Sequence, residues 1–277
     1  MKLSVITVNY NNNSGLEKTI NSVIGQTGFD DFEYIIIDGG SSDGSREVIE
    51  RHKDYLDYWC SEPDKGIFNA MNKGVEHAKG EYVIFMNSGD CFYNENVLKS
   101  LFVGKEYEAD IITGQVVIMG TNTLIRKYND NLSLQLYNDT INHQGSFIKK
   151  KLLNKVKYDE SLKIVSDWKF WIETIILGNA RVLVINNIIA EQDMTGISSN
   201  LLNKETQEKE REEVLTSLIP KSMLIVFQEL SDIHQSIYYR RIKCLMKYSP
   251  FLYRVSIKLL AVFLLLKGVT NKKLLTM

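Results

Sequence analysis

The 277-residue chain has only three cysteines, Cys60, Cys91 and Cys244, widely spaced and forming no CxxC pair. That excludes a disulfide framework and a cysteine zinc site, and points to a reducing compartment. The four histidines show no metal-ligand spacing. The glycines have neither the dinucleotide-binding spacing nor that of a P-loop. The longest uncharged apolar run of the C-terminal part, Leu259 to Leu266, is too short to span a bilayer. No internal repeat is evident. No leader-like segment precedes the apolar stretch Leu3 to Val8, which predicts a cytoplasmic location.

Acidic residues are missing from Ile233 onward, where Arg240, Arg241, Lys243, Lys247, Arg254, Lys258, Lys267, Lys272 and Lys273 all fall. The rest of the chain carries 24 basic against 34 acidic residues, a charge of about −10. A basic tail on an acidic body suggests an anionic surface as partner. Arg240, Lys243, Lys247, Arg254 and Lys258 recur at helical steps, interrupted at Pro250. Phe251, Val255, Leu259, Val262, Phe263 and Leu266 form the opposing face. That is the composition of a helix lying in a membrane interface, here on the inner face of the cell membrane. The alternative is a terminal helix packed on the domain or in a dimer. Nucleic acid is not an expected partner, because the basic residues interleave with an aliphatic face and not with exposed aromatics.

What the chain does have is a globular balance of 44% hydrophobic and 24% charged residues, enough for one large α/β domain with an appendage. Four apolar residues run into four turn-forming ones at Val83-Ile84-Phe85-Met86-Asn87-Ser88-Gly89-Asp90, which reads as a buried strand ending in a carboxylate-bearing loop. Further strands are expected at Leu3–Val8, Phe32–Asp38 and near Tyr58–Cys60. Helices are expected from Ser14, with Glu17 completing a capping box, from Ser45 to Lys53 and from Ile67 to Ala78. This alternation predicts a mostly parallel sheet flanked by helices. Later, a hairpin is expected over Ile111–Met119 and Thr123–Tyr128, a strand at Phe147-Ile148, a helix over Ser166–Leu177 and a strand at Arg181–Ile185. The charged segment Asn203–Glu213 reads as a solvated helix or linker.

Loops following strands of one parallel sheet crowd the same edge, where open α/β sheets build ligand sites. Three of them bring carboxylates: Asp38, Asp64 and Asp90. Such acids repel one another unless a cation or sugar hydroxyls engage them. A lone carboxylate like Asp90 suits Mg²⁺ or Mn²⁺ shared with substrate phosphates. Asp38 either accepts hydrogen bonds from a ribose or base, or closes a turn over Gly39-Gly40.

Four stretches, in order, resemble the family 2 glycosyltransferases. They are Ser4-Val5-Ile6-Thr7-Val8-Asn9-Tyr10-Asn11, Ile36-Ile37-Asp38-Gly39-Gly40-Ser41-Ser42-Asp43-Gly44, Glu62-Pro63-Asp64-Lys65-Gly66 through Gly74, and Gly80-Glu81-Tyr82 through Asp90. The resemblance implies a GT-A-like α/β fold, and the tail that it does not cover reads from its composition as a C-terminal helical, basic amphipathic extension. It implies a glycosyltransferase domain over 1–202, its nucleotide-sugar-binding half at 1–95 and acceptor half at 96–202; the charged segment from Asn203 sets the boundary, and the pattern of the tail makes 203–277 a membrane-interfacial extension. It implies that Asp90 ends a DXD-type motif and holds Mn²⁺ or Mg²⁺, although Asn87 and Gly89 stand where other members often have acids. Asn9, Tyr10, Asp38, Asp64, Lys65, Asn72 and Asn87 would line the nucleotide-sugar, with Asn72 alternatively a brace. Val165-Ser166-Asp167-Trp168 resembles the acidic pair before a helix, with Ser166 replacing one acid. Asp167 would be the base, or else a first-turn carboxylate of the kind any helix favours. His143 and Gln144 resemble an acceptor-side or diphosphate-side pair. Glu191–Ser198 has the composition of a lid.

The resemblance thus implies inverting transfer from a nucleotide-sugar, a UDP-sugar above all, to a saccharide or lipid-linked saccharide in surface polysaccharide assembly. Two other readings stay open. A nucleotidyltransferase would need a triphosphate loop that Asn9–Gly15 does not offer. A non-catalytic nucleotide-sugar-binding scaffold would account for Asn87, Gly89 and Ser166.

Overall fold

The computed structural model describes residues 1–125, 128, 131–196 and 201–236, with 244, 247, 249 and 251 as isolated positions. The chain divides into two compact units, Met1–Ile219 and Pro220–Met277. The first begins with β1 (Leu3–Asn9), α1 (Asn13–Ile24), β2 (Phe32–Asp38), α2 (Ser45–Arg51), β3 (Tyr58–Ser61), α3 (Ile67–His77) and β4 (Tyr82–Phe85). β1 and β4 are buried at every position, as strands covered by helices on both faces must be. All four strands are parallel: Leu3 lies opposite Phe32 and Tyr82, and Ile35 opposite Tyr58.

The chain continues through β5 (Cys91–Phe92), α4 (Val97–Phe102), β6 (Ile111–Ile118), α5 (Leu132–Asn138), β7 (Ser146–Lys149) and α6 (Lys150–Lys155). Then come α7 (Ser166–Trp171), a π-helical turn (Ile172–Leu177), β8 (Val182–Gln192) and α8 (Lys204–Leu218). The eight strands form one sheet in the order β3-β2-β1-β4-β7-β6-β8-β5. It is parallel through β4 and mixed beyond. β7 runs antiparallel to both β4 and β6, β8 is parallel to β6, and β5 is antiparallel to β8. Six strands therefore point one way, and β7 and β5 point back. The loops after the six and before the two share one edge of the sheet.

Two local expectations change, and a third is met over the described residues. α1 is capped by Asn12, whose side-chain oxygen accepts from Gly15 N at 3.1 Å, so the helix starts before the Ser14–Glu17 box. The expected hairpin after β6 is present in its first part, with Ile118 N bonded to Thr123 O and Ile125 N to Val116 O, both 2.9 Å, and an antiparallel bridge between Val117 and Leu124, while its positions 126 and 127 lie outside the described residues. The late strand runs on past Ile185 to Gln192, because β6 offers partners along its whole length. α8 belongs to the first unit, with Glu210 and Val214 buried.

In the second unit α9 (Lys221–Gln235) starts after Pro220 and leaves Met223, Ile225, Val226, Leu230 and Ile233 exposed. Apart from isolated positions, the basic stretch from residue 240 lies outside the described residues. Among the described residues no helix is long and apolar enough to cross a membrane.

α3 lies directly on β1 and β2 because Gly74 presents no side chain to them. A Cβ there would sit 2.5 Å from Ile6 Cγ2 and 3.6 Å from Ile37 Cγ1. Overpacking costs about 1–3 kcal/mol, against a helix-propensity gain of about 1 kcal/mol for alanine. Gly74→Ala should therefore lower stability in urea titrations. An unchanged or raised midpoint would mean that Ile6 yields freely.

Candidate active site

A cavity of about 800 Å³ opens at the shared sheet edge, within the size range of small-molecule sites. Its walls include Asn9, Tyr10, Asp64, Asn87, Asp90, His143, Gln144 and Asp167. Eight of the eleven residues singled out from the sequence thus converge. Asp38, Lys65 and Asn72 are not among its lining residues.

Asp38 lies beneath the cavity, fully buried. One carboxylate oxygen accepts from Asn9 Nδ2 at 2.7 Å and Ser41 Oγ at 2.5 Å. The other accepts from Ser61 Oγ at 2.7 Å and Ser41 N at 3.0 Å. Burial would push this carboxyl up, but the hydroxyls of Ser41 and Ser61, the Ser41 amide and Asn9 outweigh it and hold it below the usual range. Asp38 thereby braces the ends of β1, β2 and β3, the turn role being the one its bonds display. Its neighbour Gly39 faces the cavity instead. A Cβ at Gly39 would lie 2.5 Å from Asp64 Oδ2 and 3.2 Å from the Tyr10 ring, so only glycine lets these two side chains close over the backbone. Tyr10 is 67% exposed, a flat aromatic face open to a planar ligand.

The loop after β3 is shaped by its own carboxylate, Asp64 Oδ1 accepting from Gly66 N at 2.8 Å. Lys65 sits between two cavity-lining residues, its backbone N bonded to Asn69 Oδ1 at 3.2 Å. Asn72 is a brace. It donates to Tyr158 O and Glu160 Oε1, both at 2.9 Å, and accepts from Tyr158 N at 3.0 Å, tying α3 to the segment that leads to α7.

The loop after β4 wraps around Thr19 of α1, whose hydroxyl donates to Asp90 O at 2.7 Å and accepts from Gly89 N at 2.9 Å. Asp90 is only 7% exposed. Burial pushes its carboxyl up to about 7, offset in part by His143 and by the Asp193 amide, which donates to Asp90 Oδ1 at 2.8 Å. Asp193 and Gln192 follow β8 into the cavity. The sequence offered them only as part of a lid; the pairing of Asp193 with Asp90 spans 103 positions and left no local signal.

On the opposite wall, His143 joins two loops. Its Nδ1 lies 3.1 Å from Asp167 Oδ2 and its Nε2 lies 3.2 Å from Asn87 Nδ2. With the Asn87 amino group donating to Nε2, the ring carries its proton on Nδ1 and donates it to Asp167. Asp167 stands in the first turn of α7, and its other oxygen accepts from Trp168 N at 2.7 Å. Ser166 is buried and accepts from Asp159 N at 2.5 Å. The site therefore has one carboxylate facing the cavity at this helix, held by an imidazole. Chemically it offers an oriented proton acceptor on one side and a buried, easily recharged carboxylate on the other.

Comparison with known proteins follows the same lines. A family model described as glycosyl transferase family 2 matches residues 4–166. An uncharacterized glycosyltransferase of Mycobacterium tuberculosis is 29% identical over 204 residues, 72% of this chain and 77% of that protein. The poly(ribitol-phosphate) beta-N-acetylglucosaminyltransferase TarP of Staphylococcus aureus is 31% identical over 189 residues, 63% of this chain and 58% of its own. The solved structure of S. aureus TarS 1–349 in complex with UDP-GlcNAc is similar in fold. Its TM-score is 0.62 at 19% identity, covering 99% of this chain and 83% of that one. With the family match running from β1 to the start of α7, this chain belongs to glycosyl transferase family 2.

Proposed function

We propose that this glycosyltransferase transfers a sugar, with inversion, from a UDP-sugar to a hydroxyl of a saccharide acceptor in surface polysaccharide assembly. The observation that carries the reading is the Asp167–His143 pair facing the same cavity as Asp90. Asp167 takes the proton from the acceptor hydroxyl as that oxygen attacks the anomeric carbon and the nucleoside diphosphate departs. Such positioned proton transfer is typically worth about 10²- to 10⁴-fold. The Nδ1–H of His143 holds Asp167 Oδ2 in place, leaving the carboxylate an acceptor in need of a proton. Asn87 fixes the imidazole tautomer from the other side. Tyr10 and Asp64 flank the nucleotide, with Lys65 beside the diphosphate. UDP-GlcNAc bound by TarS, and the polymer named for TarP, support this donor and acceptor class.

The chemistry around Asp90 fits a divalent cation, Mg²⁺ or Mn²⁺. Asn87 Oδ1 and Gln192 Oε1 are buried without a hydrogen-bond partner, and both residues line the cavity with Asp90 and Asp193. Hard cations take such oxygens. No cluster of three or more His, Cys, Asp or Glu suited to a metal occurs among the described residues, so Asp90 would hold the ion together with substrate phosphate oxygens. When bound, the cation neutralises charge developing on the departing diphosphate. A lipid-linked acceptor, and attachment of the basic stretch to the inner face of the membrane, complete the proposal.

A donor screen reading nucleoside diphosphate release tests the reaction. Turnover with a UDP-sugar is expected, and Asp167→Asn should keep nucleotide binding while losing at least about 10²-fold in kcat. Silence of the wild type across all nucleotide-sugars would leave a binding scaffold.

Asp90 gives a pH signature. Its carboxyl titrates near 7 in the fold against 3.8 when unfolded, so the folded state holds the extra proton and stability falls as pH rises between those values. In metal-free buffer at pH 8, Asp90→Asn should be more stable than wild type by up to about 4 kcal/mol, the gap closing towards pH 4. Added Mn²⁺ with UDP should raise the Tm of wild type only. Parallel pH profiles for the two proteins would contradict the assignment.

Liposome flotation with anionic vesicles should recover the full chain and lose a version ending at Ser231. Equal recovery would remove the tail as an anchor.

A further inference from the structure

α8 is densely charged, yet two of its side chains turn inward. Glu210 is 8% exposed, and its carboxylate accepts from three consecutive backbone amides. Lys163 N donates to Oε1 at 2.7 Å, and Ile164 N and Val165 N donate to Oε2 at 3.0 and 3.1 Å. A buried carboxylate is tolerated only with its oxygens bonded, and charge-assisted bonds to amides are the strong kind. The gripped segment leads straight into α7, where Asp167 is the second residue, and Lys163 and Ile164 themselves line the cavity.

The next residue holds the other side of Asp167. Arg211 sets its guanidinium 4.1 Å from the Trp168 ring centre. It also donates to the carbonyls of Tyr137 and Asp139 at 3.1 and 3.2 Å. Trp168 in turn donates its indole N–H to Leu136 O at 2.7 Å. Residues before and after Asp167 are thus clamped by one turn of a helix some forty positions downstream.

We propose that Glu210 and Arg211 are positioning residues that set Asp167 for proton transfer, a role that rests on the reading of Asp167 as the base. The donor-side loops after β1, β2, β3 and β4 hang from other elements, so the clamp acts on turnover and not on nucleotide affinity. Misplacement of a reacting group by about 1 Å costs up to about 10²-fold in rate.

The test uses the full chain with Glu210→Gln, which sets an amino group against the amides, and Arg211→Lys, which keeps the charge and loses the flat face over Trp168. Calorimetric titration with UDP counts folded sites, hydrogen exchange reads the amides of 163–165, and kcat is measured with the nucleotide-sugar that the donor screen selects. Glu210→Gln should lose protection at 163–165, keep the UDP Kd within about twofold, and lose about 10- to 100-fold in kcat per UDP-binding site. Arg211→Lys should show a smaller loss of the same kind and covers the case in which Glu210→Gln fails to fold. Unchanged protection overturns the clamp. Lost protection with kcat within twofold, or UDP affinity falling in step with kcat, reduces it to a structural support. A wild type without turnover overturns the base reading, and the positioning role falls with it, whereas normal wild-type turnover beside an unaffected variant defeats the positioning role alone.

Discussion

The buried Asp38 carboxylate is the constraint on which the cavity rests. Parallel strands end together at one edge, where buried side-chain donors and the following loop need a common partner. Asp38 supplies the missing partner in a single group, binding Asn9 at the end of β1, Ser61 at the end of β3 and both the amide and hydroxyl of Ser41. Leaving a buried carboxylate with fewer bonds would cost about 1–3 kcal/mol or more per lost partner. The loops that carry Tyr10, Gly39 and Asp64 are fixed in mutual position by that cost.

The opposite wall is organised by polar contacts between distant parts of the chain. His143 connects Asn87 of the β4 loop to Asp167 of α7, and Asn72 connects α3 to the segment at Tyr158. Glu210 closes the arrangement from α8. Each group is a short side chain or a charge with its bonds filled, which limits how far either carboxylate can wander. Preorganised polar groups of this kind need no reorientation when charge develops.

How much of this could be read from residues alone follows from the range of the interactions. The first four strands and their helices were legible because apolar runs and turn residues alternate within short windows, and the Asn87–Asp90 turn announced its carboxylate. The start of α1 was misjudged because Ser14 and Glu17 fit a local pattern while Asn12 wins through bonds to both Gly15 and Ser88. Asp38 and Asn72 were each open to a ligand contact or a bracing role, because a polar residue at a strand end or in a helix looks the same from sequence whether it binds a substrate or braces a loop. Asp193 and Glu210 reach partners 45 or more positions away, and no spacing rule reports that. α8 looked solvated because two inward charges vanish among many outward ones.

The reversal of β7 between β4 and β6, which both run the other way, decides where useful side chains sit along the chain. On β1, β2, β3, β4 and β8 the cavity is met on leaving the strand, at Asn9, Gly39, Asp64, Asn87 and Asp193. On β7 it is met on entering, at His143 and Gln144. Anyone grafting a new specificity group onto this scaffold would have to insert it upstream of Ser146 but downstream of Gln192. A residue added after Lys149 would emerge on the far rim, about four residues of extended backbone away from the substrate.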